Sequence, residues 1–123
     1  MRRILIIDDE DDIREVAALS LESVAGWSVT TACSGAEGIQ AALCGLPDAI
    51  LMDVMMPSMD GPTTFREMQR SPAIAKIPVV LLTAKVQGVD QRRFAGLGVA
   101  GVLFKPFDPL TLAEQMAATL GWS

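Results

Sequence analysis

Acidic side chains lie at several points of this 123-residue chain where they could act together. An unbroken acidic run, residues 8–12, follows a short apolar segment, and Asp53 follows another. Thr83 ends a third apolar segment and Lys105 follows a fourth. Clustered carboxylates are typical of a cation site, provided that the fold brings them to one place. The elements that carry these residues therefore decide what chemistry is possible.

Five short apolar segments predict β-strands. Continuous rather than alternating apolar runs are typical of strands that are buried on both faces of a sheet. Each segment is bounded by glycine, proline or a charged residue, which are common at strand ends. The segments are Arg3–Asp8, Trp27–Cys33, Asp48–Asp53, Pro78–Thr83 and the shorter Gly101–Phe104.

Five helix-length stretches separate or follow these strands, and each carries a start signal. Asp11 or Asp12 is predicted to cap the first helix, and Ser34 with Glu37 forms a capping box for the second. The predicted helices cover residues 11–24, 34–45, 62–70, 90–97 and 108–120. The apolar side of the first comprises Ile13, Val16, Ala17, Leu19, Ser20 and Leu21, and that of the last comprises Leu110, Leu112, Ala113, Met116, Ala117 and Leu120.

The alternation of strand and helix predicts an α/β fold. Consecutive strand–helix–strand units imply right-handed crossovers and a parallel sheet with helices on both faces. In such sheets, ligands bind at the carboxyl ends of the strands. The residues expected to meet at this edge are Asp8, Asp9, Asp53, Thr83 and Lys105.

Three carboxylates at one sheet edge require compensation. Two unit charges about 4 Å apart repel by roughly 4 kcal/mol at an effective dielectric constant of about 20. Such a group either retains a proton or binds a cation. Lys105 supplies one positive charge, and Mg²⁺ suits an all-oxygen site that has few protein ligands and room for water. The residues therefore indicate either a retained proton or a divalent cation, for which Mg²⁺ is suited.

Length and composition indicate one domain covering residues 1–123, with 50% apolar residues to fill its core. The net charge of −5 comes entirely from the run at residues 8–12, because the other ten acids are balanced by ten bases. No segment is long and apolar enough for a membrane span, and the first apolar run is too short for a signal peptide. A cytoplasmic location is expected.

Several classes of function are disfavoured by residue types. The chain has no histidine, which excludes histidine-dependent catalytic triads and histidine-ligated zinc. Cys33 and Cys44 lack metal-ligand spacing, so we expect buried, reduced thiols. A pI near 4.5 argues against direct binding of nucleic acid through a basic patch.

Taken together, the motifs resemble the receiver domain of two-component response regulators, of the single-domain, chemotaxis-regulator type. The resemblance covers nearly the whole chain and rests on IIDDE, LMDVMMPSMDG, LLTA and FKPF in that order. It implies a flavodoxin-like fold: a five-stranded parallel sheet in the order 2-1-3-4-5 with five helices on both faces. It also implies that a histidine kinase or a histidine phosphotransfer protein donates a phosphoryl group to one aspartate.

The resemblance assigns a role to each site residue. Asp53 matches the phosphoacceptor, whose carboxylate would form an acyl phosphate. Asp9 matches the direct Mg²⁺ ligand, Asp8 a ligand acting mainly through water, and the backbone carbonyl of Met55 a third protein ligand. The protein would then be a signalling phosphoacceptor that catalyses only its own phosphorylation and dephosphorylation, not an enzyme acting on other substrates.

The resemblance also implies a conformational switch. Lys105 would pair with a phosphoryl oxygen and precede a cis peptide bond, and Thr83 would donate its hydroxyl to another phosphoryl oxygen by moving inward. Family members have an aromatic residue three positions before the lysine, where this chain has Val102. Phe104 is predicted to point to the opposite face from Lys105. We therefore expect phosphotransfer with a modified switch, in which the loop at 85–90 and the following helix shift.

Other residues near the site have simpler interpretations. Glu10, Asp11 and Asp12 are interpreted as charges that favour a helix start. The methionines at 52, 55, 56 and 59 are interpreted as packing and turn residues, and Gly61 as a turn residue with positive φ.

The expected partners are the phosphodonor and a downstream protein, which would bind the surface of the fourth helix, fifth strand and fifth helix. Gln91, Arg92 and Arg93 could face outward there. The chain stops after the fifth helix, so no output domain is expected within it. We expect either a free-standing regulator or phosphate shuttle, or the receiver domain of a longer protein.

Three other functions are less consistent with these residues. A haloacid-dehalogenase-like phosphatase would need an acidic residue two positions after the nucleophile, where this chain has Met55. A flavodoxin would need a phosphate loop rich in Ser, Thr and Gly after the first strand, where this chain has acids. A receiver domain that only binds proteins would lack the acceptor and metal carboxylates that are present here.

Overall fold

The computed structural model describes residues 1–84, 94 and 96–122. Its five strands are β1 (Arg3–Ile7), β2 (Ser28–Ala32), β3 (Ala49–Asp53), β4 (Val79–Ala84) and β5 (Gly101–Lys105). The helices of the described part are α1 (Asp11–Ala25), α2 (Gly35–Gly45), α3 (Gly61–Gln69) and α4 (Leu112–Leu120). The helix predicted at 90–97 lies mostly outside the described residues, as do the predicted surface residues Gln91, Arg92 and Arg93.

All strand pairs are parallel and follow the order β2-β1-β3-β4-β5, which confirms the predicted topology. The sheet separates two apolar layers. One layer joins β1, β3 and β4 to α2 and α3. The other joins the opposite faces of the same strands to α1 and α4. The central strand β3 is buried along its whole length, as expected for a strand covered on both sides. No helix among the described residues is long and apolar enough to cross a membrane.

Helix α1 differs from its prediction in two respects. Its N-cap is Glu10, whose side chain makes no capping hydrogen bond, so Asp11 and Asp12 lie in the first turn and do not cap it. Val16 and Leu19, expected in the core, are 43% and 65% exposed. The contact with the sheet and α4 is made by a narrower face around Ala17 and Leu21, because the position of the helix on the sheet leaves Val16 and Leu19 on its solvent side.

Two other helix starts also differ from the prediction. Ser34 Oγ accepts the amide of Glu37 at 3.1 Å, as predicted for a capping box, but Glu37 Oε2 accepts the thiol of Cys33. Cys33 and Cys44 are exposed and not buried as predicted, because Cys33 follows the edge strand β2 and Cys44 lies in the last turn of α2. Leu110 is 75% exposed and precedes α4. The carboxylate of Asp108 accepts the amide of Leu110 at 2.9 Å and its carbonyl accepts that of Leu112 at 3.0 Å, which holds a separate turn before the helix.

Gly61 is needed for space and not for positive φ, contrary to the prediction. It is the first residue of α3, and Asp60 Oδ1 caps this helix by accepting the amide of Thr63 at 2.8 Å. A Cβ atom at Gly61 would lie 2.6 Å from the carbonyl oxygen of Asp53 and 3.0 Å from Cα of Val54. The glycine therefore lets α3 start directly against the end of β3.

Gly61→Ala should destabilise the protein by about 1 to 3 kcal/mol, because the added methyl group would displace the backbone of Asp53. Urea unfolding followed by circular dichroism measures this change. Gly45→Ala is the matched control, since a Cβ there has no neighbour within 4 Å. Equal unfolding midpoints for the two variants would contradict the steric explanation.

Candidate functional site

The strand register brings the predicted site residues to the carboxyl edge of the sheet. Asp8 follows β1 and donates its amide to the carbonyl of Ala32 at 3.1 Å, which keeps it in line with the neighbouring strand. Asp53 is the last residue of β3 and pairs in register with Leu82 of β4. Thr83 comes next on β4, and Lys105 ends β5 opposite Ala84.

Lys105 lies at the centre of the site and contacts three carboxylates. Its Nζ atom is 3.2 Å from Asp8 Oδ2, 3.3 Å from Asp53 Oδ1 and 3.4 Å from Glu10 Oε1. Of these three contacts, the one with Glu10 has hydrogen-bond geometry. The peptide bond from Lys105 to Pro106 is cis, as the family resemblance implied.

The site buries charged oxygens that lack partners. Asp8 is 1% exposed and Asp53 is 3% exposed. Within the described part of the chain, Asp8 Oδ2, Asp9 Oδ1 and Asp53 Oδ2 are buried and accept no hydrogen bond, and of these three oxygens only Asp8 Oδ2 has an ion-pair contact with Lys105. An unpartnered buried carboxylate oxygen carries a large desolvation penalty. Bound cations would supply the missing partners.

Burial and neighbouring charges shift the pKa values of Asp53, Asp8 and Lys105. Loss of solvent raises the pKa of Asp53 to about 6, with a further contribution from the charge of Asp8 and opposition from Lys105. Burial also raises the pKa of Asp8, although the amide of Glu10 and the charge of Lys105 act against it. For Lys105, burial acts to lower the pKa, but the charges of Asp53 and Asp8 outweigh it and the pKa lies above its usual value.

The carboxylates could hold a metal ion. One oxygen each from Asp8, Glu10 and Asp53 lies within 4.8 Å of the others. Asp9 is outside this group, but its buried Oδ1 atom accepts no hydrogen bond from a described residue. All of these donors are hard oxygen atoms, the donor type that Mg²⁺ prefers. The acidic cluster therefore fits the predicted cofactor.

Thr83 and Met55 complete the predicted set. The Thr83 side chain is 2% exposed on β4, beside the end of β3. Met55 is 76% exposed, two residues after Asp53, and no hydrogen bond from a described residue reaches its carbonyl. That carbonyl is thus available as a ligand. Met52 and Met56 are buried in the core, in agreement with packing roles.

A model of the response regulator receiver domain matches residues 4–117. The chain belongs to this family. It is therefore a receiver domain of two-component signalling, a signalling domain and not a conventional enzyme.

Relatives of this receiver domain agree with that assignment. It is 38% identical over 120 residues to the DNA-binding dual master transcriptional regulator RpaA of Synechocystis sp., covering 98% of this chain and 49% of RpaA. It is 37% identical to the phosphate regulon transcriptional regulatory protein PhoB of Pseudomonas aeruginosa, covering 97% and 52% of the two chains. The receiver domain thus spans about half the length of these curated relatives.

Among solved structures, the chemotaxis protein CheY4 of Vibrio cholerae superposes with a TM-score of 0.90. The two are 30% identical, and the match covers 98% of this receiver domain and 99% of CheY4. The agreement in length and fold supports the flavodoxin-like architecture derived from the strand order.

Glu10 is the site residue that the sequence interpretation missed. It was assigned to the helix start, yet it contacts Lys105 and belongs to the carboxylate cluster of this receiver domain. Its position directly after the paired acids and before a helix could have indicated a role at the sheet edge. A glutamate at an N-cap seldom caps, so its side chain is free for another contact.

Phe104 is the aromatic residue of β5. Val102 packs on the α2–α3 side of the sheet, together with Phe94, which is 2% exposed. Leu103 packs on the α1–α4 side, so Phe104 points to the same side as Val102. Phe104 pairs in register with Thr83 and is 40% exposed. The loop at 85–90, expected to move in the switch, lies outside the described residues.

Proposed function

We propose that this receiver domain accepts a phosphoryl group on Asp53 from a phosphorylated histidine of a kinase or phosphotransfer protein. One observation carries the proposal: the buried Asp53 carboxylate has an unpartnered Oδ2 atom and lies 3.3 Å from the ammonium group of Lys105. A buried carboxylate with a strongly raised pKa costs stability, and such groups concentrate at functional sites.

Asp53 Oδ2 would act as the nucleophile. It attacks phosphorus, an oxygen–phosphorus bond forms, and the bond from phosphorus to the donor nitrogen breaks. The nitrogen keeps the electron pair of that bond and takes up a proton from solvent. The backbone contacts around the end of β3 hold the nucleophile, since Val54 donates its amide to Leu82 at 3.1 Å and accepts that of Gly61 at 2.8 Å.

Asp8, Asp9, Asp53 and the backbone carbonyl of Met55 are the residues that we propose to hold Mg²⁺. The buried oxygens without hydrogen bonds support this set. When bound, Mg²⁺ supplies positive charge that offsets the repulsion between these carboxylates and the phosphoryl oxygens.

Lys105 and Thr83 would then bind the transferred group. Lys105 already lies beside Asp53 and can pair with a phosphoryl oxygen after transfer. Thr83 lies one residue beyond the register partner of Asp53 and would donate its hydroxyl to a second oxygen. Since Phe104 is its cross-strand neighbour, inward movement of Thr83 would open space beside Phe104 and alter the exposed edge of β5.

The altered surface would select the downstream protein. We propose that this surface comprises β5, α4 and the segment predicted as a helix at 90–97. The curated relatives are named as transcriptional regulators. For this receiver domain, a link to transcription would run through a partner protein or through a domain beyond these 123 residues.

The function is tested by incubating the protein with a small phosphodonor and Mg²⁺ and measuring its intact mass. A gain of about 80 Da is expected, equal to one phosphoryl group on an acidic side chain. Reduction with borohydride followed by peptide fragmentation should place the group on Asp53. No gain in mass, or a gain placed on another residue, would overturn the proposal.

The proposed role of Mg²⁺ is tested by removing the ion with a chelator. Removal of Mg²⁺ with EDTA should reduce the labelling rate by at least about a hundredfold, because the carboxylates then repel the phosphoryl oxygens without compensation. Initial rates with and without excess Mg²⁺ measure the effect. Equal rates in EDTA and Mg²⁺ would exclude a role for the metal in transfer.

A further inference from the structure

Glu10 lies at the mouth of the site with its side chain turned toward Lys105. Its backbone amide donates to Asp8 Oδ1 at 2.9 Å, which fixes the residue beside the buried carboxylates. Its Oε1 atom accepts the hydrogen bond of Lys105 at 3.4 Å. The side chain is 60% exposed, whereas that of Asp8 is 1% exposed. The Glu10 side chain therefore lies at the surface and still contacts a buried group of the site.

Glu10 is distinguished from the two acids that follow it. Asp11 pairs with Arg14 on the first turn of α1. Asp12 is exposed and has no ion pair in the described part of the chain. Glu10 alone of these three belongs to the carboxylate cluster with Asp8 and Asp53. Its position thus reflects a contact with the site and not only the charge of a helix start.

We propose that Glu10 is a positioning residue that balances the binding of Mg²⁺ against the binding of the phosphoryl group, which rests on the function proposed above. Its negative charge attracts the cation and neutralises Lys105, which would otherwise repel that cation. The same charge repels a phosphoryl group and competes with it for the ammonium group of Lys105. Glu10 must release Lys105 when the phosphoryl group is bound.

Removal of this charge should shift the two affinities in opposite directions. A unit charge about 5 Å from its partner in a largely hydrated site changes affinity by about three- to tenfold. Glu10→Gln should therefore weaken Mg²⁺ binding by that factor. At saturating Mg²⁺, it should strengthen the binding of an anionic phosphoryl analogue by a similar factor.

The experiment uses two titrations of the full chain by calorimetry. Mg²⁺ alone is titrated first, and beryllofluoride, an analogue of the phosphoryl group, is then titrated in the presence of saturating Mg²⁺. Asp12→Asn is the matched control, because it removes one exposed charge from the same acidic run. We expect it to change each affinity by less than about twofold. Since Glu10 is mostly exposed, its variant should fold, and circular dichroism verifies this.

The outcomes separate the two proposals. Wild-type protein that binds neither Mg²⁺ nor beryllofluoride would overturn the proposed function, and this inference with it. Normal wild-type binding with unchanged affinities in Glu10→Gln would overturn only the role of Glu10. A shift of both affinities in the same direction would also overturn it, because a merely structural effect would weaken both ligands together.

Discussion

Asp53→Asn should take up no phosphoryl group from a small phosphodonor under conditions where the wild type gains about 80 Da. The amide has nearly the shape of the carboxylate, so the end of β3 should keep its structure. Its nitrogen and oxygen atoms are poor nucleophiles, and the variant lacks the charge that attracts a cation. Intact mass spectrometry over a time course measures the loss.

The control for this substitution is Asp12→Asn. Asp12 is an exposed acid in the first turn of α1, outside the carboxylate cluster, and its loss changes the net charge by the same amount. We expect labelling at the wild-type rate within about twofold, because salt screens the effect of an exposed charge that does not contact the site. Labelling of Asp53→Asn at the wild-type rate would show that another residue accepts the group.

The second large effect concerns stability in the absence of metal. Asp53→Asn should be more stable than the wild type at pH 7 by up to about 3 kcal/mol, and about equally stable near pH 4. The reason is the pKa of Asp53, which burial and the charge of Asp8 raise from 3.8 to about 6 in the folded protein. Asparagine is neutral at every pH and avoids this penalty.

The sign of this pH dependence follows from proton binding. Between pH 4 and 6 the folded wild type binds more protons at Asp53 than the unfolded chain does. Its free energy of unfolding therefore falls as the pH rises through this range. The contribution of Asp53 is most favourable below the unfolded pKa and is lost above about pH 6. Asp8, whose pKa is also raised, acts in the same direction.

The measurement is urea unfolding of both proteins in EDTA at several pH values. Groups far from Asp53 titrate alike in both proteins, so their contributions cancel when one free energy of unfolding is subtracted from the other. Excess Mg²⁺ at pH 7 should stabilise the wild type more than the variant, because the ion binds the ionised carboxylates of the folded state. A difference between the two proteins that is constant from pH 4 to pH 7 would contradict a raised pKa for Asp53.

The meeting of Asp8, Asp53 and Lys105 at one edge of the sheet was predictable because these residues end or follow strands. A continuous apolar run such as Ala49–Met52 favours a buried strand, and Asp53 directly follows it. Alternation with helices then requires a parallel sheet, whose carboxyl ends meet at one edge. The same reasoning places Asp8 and Lys105, and the structure brings all three within ion-pair distance.

The role of Glu10 could not be predicted in this way. Its residue type and position are equally consistent with a charge at a helix start. Its contact with Lys105 depends on a side-chain rotamer and on the approach of β5, which is 95 residues away in the chain. Sequence periodicity carries no information about such a contact.

Packing details were also decided by the tertiary structure. Val16 and Leu19 fit the apolar pattern of α1, but only the position of the helix on the sheet determines which part of a broad apolar side is covered. Gly61 was expected to serve a turn, whereas its function is to leave room for the carbonyl of Asp53. Close approaches between distant backbone segments leave no local pattern.

The sequence by itself thus determined the order of the elements, the parallel sheet and the identity of the acids at its carboxyl edge, because these follow from local apolar patterns and from chain connectivity. Only the tertiary structure decided which carboxylates contact Lys105, which oxygens are left without a hydrogen bond and how far the pKa of Asp53 is raised. These properties depend on distances of a few ångströms and on local burial, which arise from the packing of all five strands and their helices together.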